Sequence, residues 1–211
     1  MLIIFALLIC YSEMTNKSLQ EQRMRGYFMQ ATKELLKGEG LKSINVRNIA
    51  QQAGYSYATL YNYFRDVREL VFLCVNDFQE ECAAEIKIKV KDIPTGIERI
   101  KAVTHAYIAY FVQYPSVFNL FFIEKLGDIG QKQPTANLIY TFLNRLCEED
   151  WEYAIWEQNT DRSKAEEIKE ELTYLTCGML VYYMNRIQPA DYNEFTVAVN
   201  RQINSVFDRL A

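Results

Sequence analysis

Apolar residues recur at steps of three and four along most of the chain, which is the spacing of one face of an α-helix. This spacing predicts a first helix from Ser18 to the glycines at 38 and 40, and a long helix from about Val67 towards Lys91. Two long amphipathic helices are predicted near the end, with apolar stripes at Ile168, Leu172, Leu175, Met179, Tyr183 and Ile187, and at Tyr192, Phe195, Val199, Ile203, Phe207 and Leu210. Such stripes pack within one chain or against a second copy, and periodicity favours neither.

Helix starts are indicated by the pattern Ser/Thr/Asp-x-x-Glu, in which the first side chain caps the opening amides and the Glu reaches back. The pattern occurs at Ser18–Glu21, Thr95–Glu98, Ser163–Glu166 and Asp191–Glu194. Prolines at 94, 115 and 134 separate a helix from about Thr95 to Tyr114, a shorter one from Ser116 to about Leu126, and another after position 134. Residues 127–133 are predicted to form a loop.

Glycine and proline are sparse, at 8 and 4 of 211 residues, and half of the residues are hydrophobic. Many short strands joined by turns need more of both, whereas this hydrophobic content is enough to build a core. The sequence therefore predicts an all-α fold.

The formal net charge of −4 conceals an uneven distribution. Between Thr15 and Arg68 nine Lys or Arg occur with four acidic residues, a net charge of +5, whereas 14 basic and 22 acidic residues follow from Glu69 onward, a net charge of −8. Because a basic segment attracts nucleic acid locally, the negative total does not exclude such a partner.

Residues 45–64 have the pattern of two short helices joined by a tight turn. Asn45 is suited to cap the first helix, and Ser56 is suited to cap the second. Gly54 lies between them, where a left-handed backbone ends a helix at low cost. The apolar face of the first helix consists of Val46, Ile49, Ala50 and Ala53. The stretch predicts a helix-turn-helix.

The second helix of this motif is predicted to present polar groups outward. With Leu60 towards the core, helical geometry puts Thr59 and Asn62 on the far side, and Tyr61 and Tyr63 flank them. In the major groove of DNA such a helix offers hydrogen bonds to base edges and phosphates. The motif therefore indicates a DNA reader.

The run Ile49-Ala50, Ala53-Gly54, Ser56, Thr59-Leu60-Tyr61 and Tyr63-Phe64 resembles the signature of the TetR (tetracycline repressor) family of transcriptional regulators. The resemblance is close over about Tyr27 to Leu70 and looser beyond. It implies an N-terminal three-helix helix-turn-helix DNA-binding domain, a larger helical ligand-binding and dimerisation domain, and a homodimer formed through the last two helices. The residues that it implies for DNA contact are Arg47, Ser56, Tyr57, Thr59, Tyr61, Asn62 and Tyr63. The family often has a phosphate-contacting Lys where Val67 stands here, and Arg65 or Arg68 is expected to make that contact instead.

These inferences place the DNA-binding domain at residues 15–66 and the helical effector-binding and dimerisation domain at residues 67–211. Residues 1–14 form an N-terminal extension that is apolar over its first ten positions. It has no basic start and is shorter than the about 18 apolar residues of a membrane span, so it predicts neither a signal peptide nor an anchor. Met14 is favoured as the true start, with an additional N-terminal helical segment as the alternative.

Aromatic side chains are abundant in the predicted C-terminal domain. Such residues mostly pack in a core, but tyrosine and tryptophan also line apolar cavities with a few polar tips. Together with the resemblance, they predict an effector pocket lined by His105, Tyr107, Tyr110, Phe111, Tyr114, Phe118, Phe122, Tyr140, Trp151 and Tyr174.

Other kinds of chemistry have little support. His105 is the sole histidine, so neither a histidine-based metal site nor a Ser-His-Asp arrangement is predicted. Five cysteines without a Cys-x-x-Cys pair predict neither a disulfide framework nor a zinc site, and reduced buried thiols are favoured over a redox sensor. We therefore predict a cytoplasmic protein that is not an enzyme and has no metal and no cofactor.

The predicted function is that of a sequence-specific repressor. As a homodimer it binds a pseudo-palindromic operator in double-stranded DNA, and a small hydrophobic or aromatic effector releases it. The alternative is a DNA-binding dimer without a small-molecule ligand, whose C-terminal domain serves as a protein-interaction surface. No membrane partner is predicted.

Overall fold

The computed structural model of the chain describes residues 2–124, 137–186, 189 and 191–209. Every regular element within these ranges is helical and none is a strand, which confirms the predicted all-α class. The chain divides into two compact units. The N-terminal unit runs up to Asn76, and the C-terminal unit begins at Asp77.

The α-helices of the described residues are α1 (Leu2–Glu39), α2 (Val46–Ala53), α3 (Tyr57–Tyr61), α4 (Val67–Lys89), α5 (Ile97–Gln113), α6 (Pro115–Phe118), α7 (Phe142–Leu146), α8 (Glu148–Glu157), α9 (Arg162–Met184) and α10 (Tyr192–Phe207). A 3₁₀ turn (Leu41–Ser43) joins α1 to α2, and a π-helical turn (Asn119–Ile123) continues α6. Residues 137–140 are also helical.

The N-terminal unit is built around one apolar core. Its buried members are Phe28, Leu35, Ile49, Leu60, Phe64 and Leu70. Phe28 is fully buried, and its ring centroid lies 6.2 Å from that of Tyr63 and 6.3 Å from that of Phe64. Burial of one such side chain stabilises a fold by about 1.5–3 kcal/mol. Because the apolar positions of α1, α2 and α3 converge on this core, the polar sides of α2 and α3 remain exposed.

In the C-terminal unit α5 packs against α8, α9 and α10. The buried residues of α5, eight of its 17, are Ile100, Val103, Thr104, Ala106, Tyr107, Ile108, Tyr110 and Phe111. Among the described residues no single helix has the length and apolar content needed to cross a membrane. A pair bent by 105°, Ile97–Gln113 with Pro115–Ile123, meets that criterion only when the two segments are taken together.

Of the four predicted helix starts one is wrong, two are displaced by one or two residues, and one is confirmed. Ser18 lies inside α1, which begins at Leu2, so the amides that follow it are already bonded within the helix. Ser163 lies one residue inside α9, which begins at Arg162. The start predicted at Thr95 falls at Ile97, after Gly96. The start at Asp191 is confirmed, because its carboxylate accepts hydrogen bonds from the backbone N–H groups of Asn193, at 2.7 Å, and of Glu194, at 3.0 Å.

The start of α5 is capped from a distant segment instead. Asp150, only 2% exposed, accepts a hydrogen bond at 2.9 Å from the backbone N–H of Gly96 and another at 2.7 Å from Nε of Arg99. This carboxylate satisfies the N–H of Gly96, the residue that directly precedes the first turn of α5. The helix start is therefore determined by a tertiary contact with α8.

Apart from the start of α1, the long helices agree with the sequence to within a few residues, and the shorter ones do not. The helix predicted from Ser116 to Leu126 is α6 followed by the π-helical turn, after which Glu124 is extended. The single helix predicted after Pro134 is broken, since Cys147 leaves helical geometry at φ −112° and ψ 13°. The predicted loop at 127–133 and the stripe positions Ile187 and Leu210 lie outside the described residues.

Candidate nucleic-acid interface

The predicted helix-turn-helix is confirmed in its local geometry. Asn45 Oδ1 accepts a hydrogen bond of 2.9 Å from the backbone N–H of Asn48 and caps α2. Gly54 ends α2 in the left-handed region, at φ 76° and ψ 26°. Ser56 Oγ then accepts a bond of 3.1 Å from the N–H of Thr59 and caps α3. Each signal acts over four residues or fewer, which is why the sequence alone reveals it.

One face of α3 is buried and the other is exposed. Leu60 is fully buried in the core of the N-terminal unit, whereas Tyr57 is 62% exposed and Tyr61 54% exposed. Ala58 and Asn62 are also exposed. Two aromatic rings, one methyl group and one amide therefore share a single solvent-facing side of α3.

Three residues predicted for DNA contact have structural roles as well. Thr59 is half-buried as a residue, and its hydroxyl lies 2.8 Å from that of Ser56, so the two hydroxyls bond each other at the start of α3. Tyr63 is half-buried against the core, beside Phe28. Tyr57, Tyr61 and Asn62 are the predicted contact residues that the outer face of α3 exposes most openly.

Exposed arginines lie on both sides of α3 in the sequence. Arg47 is exposed in the first turn of α2, and Arg65 is exposed in the segment between α3 and α4. Arg68 is exposed as well, but its Nε lies 3.6 Å from a carboxylate oxygen of Asp66. Val67 packs against the core, so a Lys at this position would lose that packing. The structure thus favours Arg65 over Arg68 for the expected phosphate contact.

Sequence reasoning missed Arg25, a residue of α1 that holds the end of the α3 segment in place. Its guanidinium carbon lies 4.2 Å from the ring centroid of Phe64, and its NH1 donates a hydrogen bond to the carbonyl of Tyr63. Its NH2 lies 3.3 Å from Oε1 of Glu69 in α4. One cation therefore connects α1, the residues after α3 and the first turn of α4.

The partner of Arg25 is itself part of a helix start that the sequence pattern could have revealed. Asp66 Oδ1 accepts a bond of 3.0 Å from the N–H of Glu69, and Glu69 Oε2 accepts one of 3.0 Å from the N–H of Arg65. This Asp-x-x-Glu spacing is the same signal as at the other predicted starts. It fixes where α4 begins and orients the carboxylate that Arg25 binds.

Half of the predicted effector-pocket residues lie in the core of the C-terminal unit. Tyr107, Tyr110, Phe111, Phe118 and Trp151 are each at most 4% exposed. Phe111 contacts the rings of Tyr107 at 4.8 Å and Phe122 at 5.4 Å between centroids, and Tyr114 lies 4.9 Å from Tyr110. Packing among aromatic side chains, rather than open space, accounts for most of these positions.

A small cavity brings three of the predicted pocket residues together. Tyr107, Phe122 and Tyr140 line a space of about 10 Å³ next to Thr176 and Cys177. That is roughly the space of one water molecule, against the several hundred Å³ of a drug-sized site. The hydroxyl of Thr176 is buried and makes no hydrogen bond to any described residue. The cavity therefore has one buried hydroxyl without a hydrogen-bond partner among the described residues, in a lining that is mostly apolar and aromatic.

The other predicted pocket residues face different surfaces. His105 lines a groove of about 480 Å³ between α5 and α10, and burial lowers its pKa. Tyr140 and Trp151 adjoin a depression of about 690 Å³ whose lining includes the glutamates at 148, 152, 166, 167 and 170. Tyr174 is 60% exposed and lines an apolar groove of about 340 Å³ on α9. The ten residues thus belong to several separate places.

The cysteines described by the structure are free thiols. Cys74, Cys82 and Cys147 are buried, and Cys177 is half-buried. Burial raises the pKa of Cys82, Cys147 and Cys177, so these groups remain protonated near neutral pH. A protonated thiol is a poor nucleophile, which weighs against a redox sensor at these positions.

Comparison with known proteins identifies the N-terminal unit. Residues 28–74 match the family model described as bacterial regulatory proteins, tetR family. No curated protein sequence matches the chain.

Solved structures resemble the fold along most of the chain. A TetR family transcription regulator from Marinobacter aquaeolei VT8 is 14% identical with a TM-score of 0.62, and the match covers 89% of this chain and 97% of that one. A tetR-family transcriptional regulator from Streptomyces coelicolor is 11% identical with a TM-score of 0.63, with coverage of 90% and 88%. A TetR transcriptional regulator from Rhodococcus sp. RHA1 is 14% identical with a TM-score of 0.57, with coverage of 90% and 97%.

The N-terminal unit contains a helix-turn-helix, and a second, larger helical unit follows it in the chain. The matched residues begin at Phe28, the centre of the N-terminal core, and contain α2, α3 and the start of α4. The predicted resemblance is thereby confirmed: the N-terminal unit is a TetR-type DNA-binding domain, and the chain has the fold of TetR-family transcription regulators.

Proposed function

We propose that this chain is a sequence-specific transcriptional repressor that reads double-stranded DNA with α3. The observation that carries the proposal is the outer face of α3, where Tyr57, Tyr61 and Asn62 are exposed together while Leu60 is buried. In helix-turn-helix proteins the second helix enters the major groove and the first crosses the backbone. Residues 15–66 are assigned to DNA binding, and residues 67–211 to regulation and dimerisation.

Dimerisation is proposed through α9 and α10. Tyr174 and Tyr182 are more than half exposed on α9, and Val197 is 67% exposed on α10. An apolar groove of about 340 Å³ lies beside them, lined also by Met179 and Phe195. Exposed apolar side chains in this number are typical of an interface, and a second copy offers the same surface in return. A two-fold dimer reads a pseudo-palindromic operator.

Release by a small hydrophobic or aromatic effector is proposed at the cavity beside Thr176. Its aromatic lining matches an apolar ligand, and the buried Thr176 hydroxyl offers such a ligand one hydrogen bond. Because the cavity has a volume of only about 10 Å³, a ligand has to bind a more open conformation. A ligand that selects one conformation shifts the population of the whole protein towards it.

The second candidate function keeps DNA binding without a ligand. The small volume of the aromatic cavity favours this alternative, because the space that Tyr107 and Phe122 line is far too small for a drug-sized molecule. The exposed Trp156, 75% accessible beside Tyr153, would then belong to a protein-interaction surface. A screen for thermal shifts separates the two, since a ligand at 100 times its Kd stabilises a protein by about 2.7 kcal/mol. Thr176→Val should weaken a genuine hit.

DNA binding is tested by gel shift on the region upstream of the gene across a salt series. A discrete complex at moderate salt is expected, and Tyr61→Ala and Thr59→Ala should weaken it while circular dichroism remains unchanged. Trp156→Ala is the control, because it also removes an exposed side chain but lies in the C-terminal unit. Equal loss of binding in all three variants, or no specific complex with the intact protein, would contradict the proposal.

Repression is tested separately with a reporter gene under the same upstream region. Deletion of the regulator should raise expression of the reporter, whereas deletion of an activator would lower it. A rise that Tyr61→Ala reproduces connects the effect to the outer face of α3.

A further inference from the structure

The outer face of α3 has no charged side chain. From Asn48 to Phe64 the sequence contains neither a basic nor an acidic residue. The exposed positions within this stretch include Tyr57, Ala58, Tyr61 and Asn62. DNA bound against α3 would therefore be contacted by aromatic rings, a methyl group and an amide.

This set of groups distinguishes the two kinds of base pair. Guanine is read mainly by Arg or Lys at O6 and N7, and cytosine by Asp or Glu at N4. Adenine is read by the amide of Asn or Gln at N6 and N7, and the thymine methyl by apolar groups. The exposed face of α3 thus lacks the usual readers of a G·C pair and has those of an A·T pair.

Asn62 is the amide available for such a contact. Its backbone lies in helical geometry at the end of α3, and its exposed side chain makes no hydrogen bond to any described residue. The hydroxyls of Ser56 and Thr59, in contrast, bond each other at 2.8 Å at the start of the helix. In α2, the exposed side-chain amide of Gln52 donates a hydrogen bond of 2.7 Å from its Nε2 to Oε2 of Glu34.

The arginines are placed for the backbone rather than for the bases. Arg47 belongs to α2, the helix that crosses the phosphates in this motif, and Arg65 follows α3. Phosphate contacts position a protein without specifying sequence. Sequence preference then depends on the uncharged face of α3.

We propose that the base pairs under α3 in each operator half-site are A·T pairs, with the Asn62 amide bound to N6 and N7 of an adenine. Ala58 and the rings of Tyr57 and Tyr61 contact thymine methyl groups on the same side. This inference rests on the proposed function, since it names the class of sequence that the same surface reads.

Selection from a random duplex library tests the proposal and separates it from the proposed function. The intact protein should enrich half-sites whose central pairs are A·T. Enrichment of a defined site with a G·C core would overturn this inference and leave the repressor function standing. If no sequence is enriched over the starting library, both fail.

Base analogues in the selected site then test the contact itself. Replacing the adenine by 7-deazaadenine removes one acceptor and should weaken binding of the intact protein about 2- to 12-fold, the worth of one hydrogen bond. Asn62→Ala should lower the preference for that A·T pair by about 5- to 150-fold and abolish the sensitivity to 7-deazaadenine. Asn119→Ala removes an exposed amide of the C-terminal unit and should behave like the intact protein.

Two results would overturn the assignment of Asn62. One is an unchanged response to 7-deazaadenine in Asn62→Ala, which would assign the adenine contact to another group. The other is an unchanged base preference in that variant. An unchanged circular dichroism spectrum and an unaltered affinity for non-specific DNA show that a change in base preference arises from a lost base contact and not from unfolding.

Discussion

Replacement of Arg25 by methionine should loosen α3 without removing any group that touches DNA. Methionine retains a similar unbranched apolar stem, so the change removes mainly the guanidinium. Three contacts are lost: the ion pair with Glu69, the hydrogen bond to the carbonyl of Tyr63, and the stacking on Phe64. All three lie within the N-terminal unit.

The size of the effect follows from these contacts. A hydrogen bond from a charged group contributes about 1.5–3 kcal/mol. The Arg25 side chain is 35% exposed and that of Glu69 39%, so their ion pair adds less than about 1 kcal/mol, and the contact with the Phe64 ring adds about 0.5–1 kcal/mol. Because one guanidinium makes all three contacts, the contributions do not simply add. We expect a loss of about 2–3 kcal/mol in the free energy of unfolding.

The consequence for DNA binding is bounded by the same energy. If about 2 kcal/mol had served entirely to hold α3 in its reading position, the competent fraction would fall by at most about 30-fold. We expect a 3- to 30-fold weaker operator complex, measured by fluorescence anisotropy on a selected site. Arg25→Lys should recover part of the loss, since an ammonium keeps the charge but not the planar fork.

The salt dependence of binding shows whether Arg25 acts by positioning. Each phosphate contact changes the slope of log K against log salt by about 0.9, so Arg25→Met should leave the slope unchanged while weakening the complex. Arg23→Met is the matched control, because Arg23 is exposed on the same helix and carries the same charge. A slope smaller by about 1 in Arg25→Met would show that Arg25 contacts phosphate, and an unweakened complex would refute the positioning role.

Three further predictions concern the turn, the phosphate contacts and the C-terminal unit. Gly54→Ala should destabilise the protein by about 1–2 kcal/mol in urea unfolding, because Gly54 has a φ of 76° that a Cβ disfavours, and an unchanged midpoint would refute this. Arg65→Ala should reduce the salt slope of operator binding by about 1, and an unchanged slope would exclude Arg65 from phosphate contact. Asp150→Ala should cost about 3–5 kcal/mol, since it leaves the Arg99 guanidinium and the N–H of Gly96 without their buried partner, and a thermal melt that matches the intact protein would contradict this.

The motif around α2 and α3 was predictable because its signals are local. Asn45, Gly54 and Ser56 each act on amides or torsions within a few residues, and local signals survive without knowledge of the fold. Burial of Leu60 follows from helical spacing alone. The same reasoning failed at Ser18, because its pattern is also compatible with the middle of an exposed helix.

What was missed depends on contacts between distant segments. Arg25 is separated by 38 residues from Tyr63 and by 44 from Glu69, and Asp150 by 54 from Gly96. The periodicity of the sequence does not indicate which distant residues are in contact. Nor does spacing distinguish an aromatic residue that packs from one that lines a cavity, since both lie on the same helical face. The effector pocket is therefore tested by ligand binding and not by sequence pattern.

A five-residue helix cannot hold its own shape in water, because the cost of nucleating a helix exceeds what one turn returns. In this chain the geometry of α3 is maintained by groups that point away from its outer face: the Ser56 cap, the buried Leu60 and the Arg25 contact at Tyr63. The backbone N–H of Asn62 bonds the carbonyl of Thr59 at the end of α3, but its side chain makes no hydrogen bond to any described residue. Substitutions there should alter base preference while leaving stability nearly unchanged, whereas Arg25 and Leu60 should show the reverse. If stability and base preference instead changed together at Asn62, the division between supporting and reading residues would not hold.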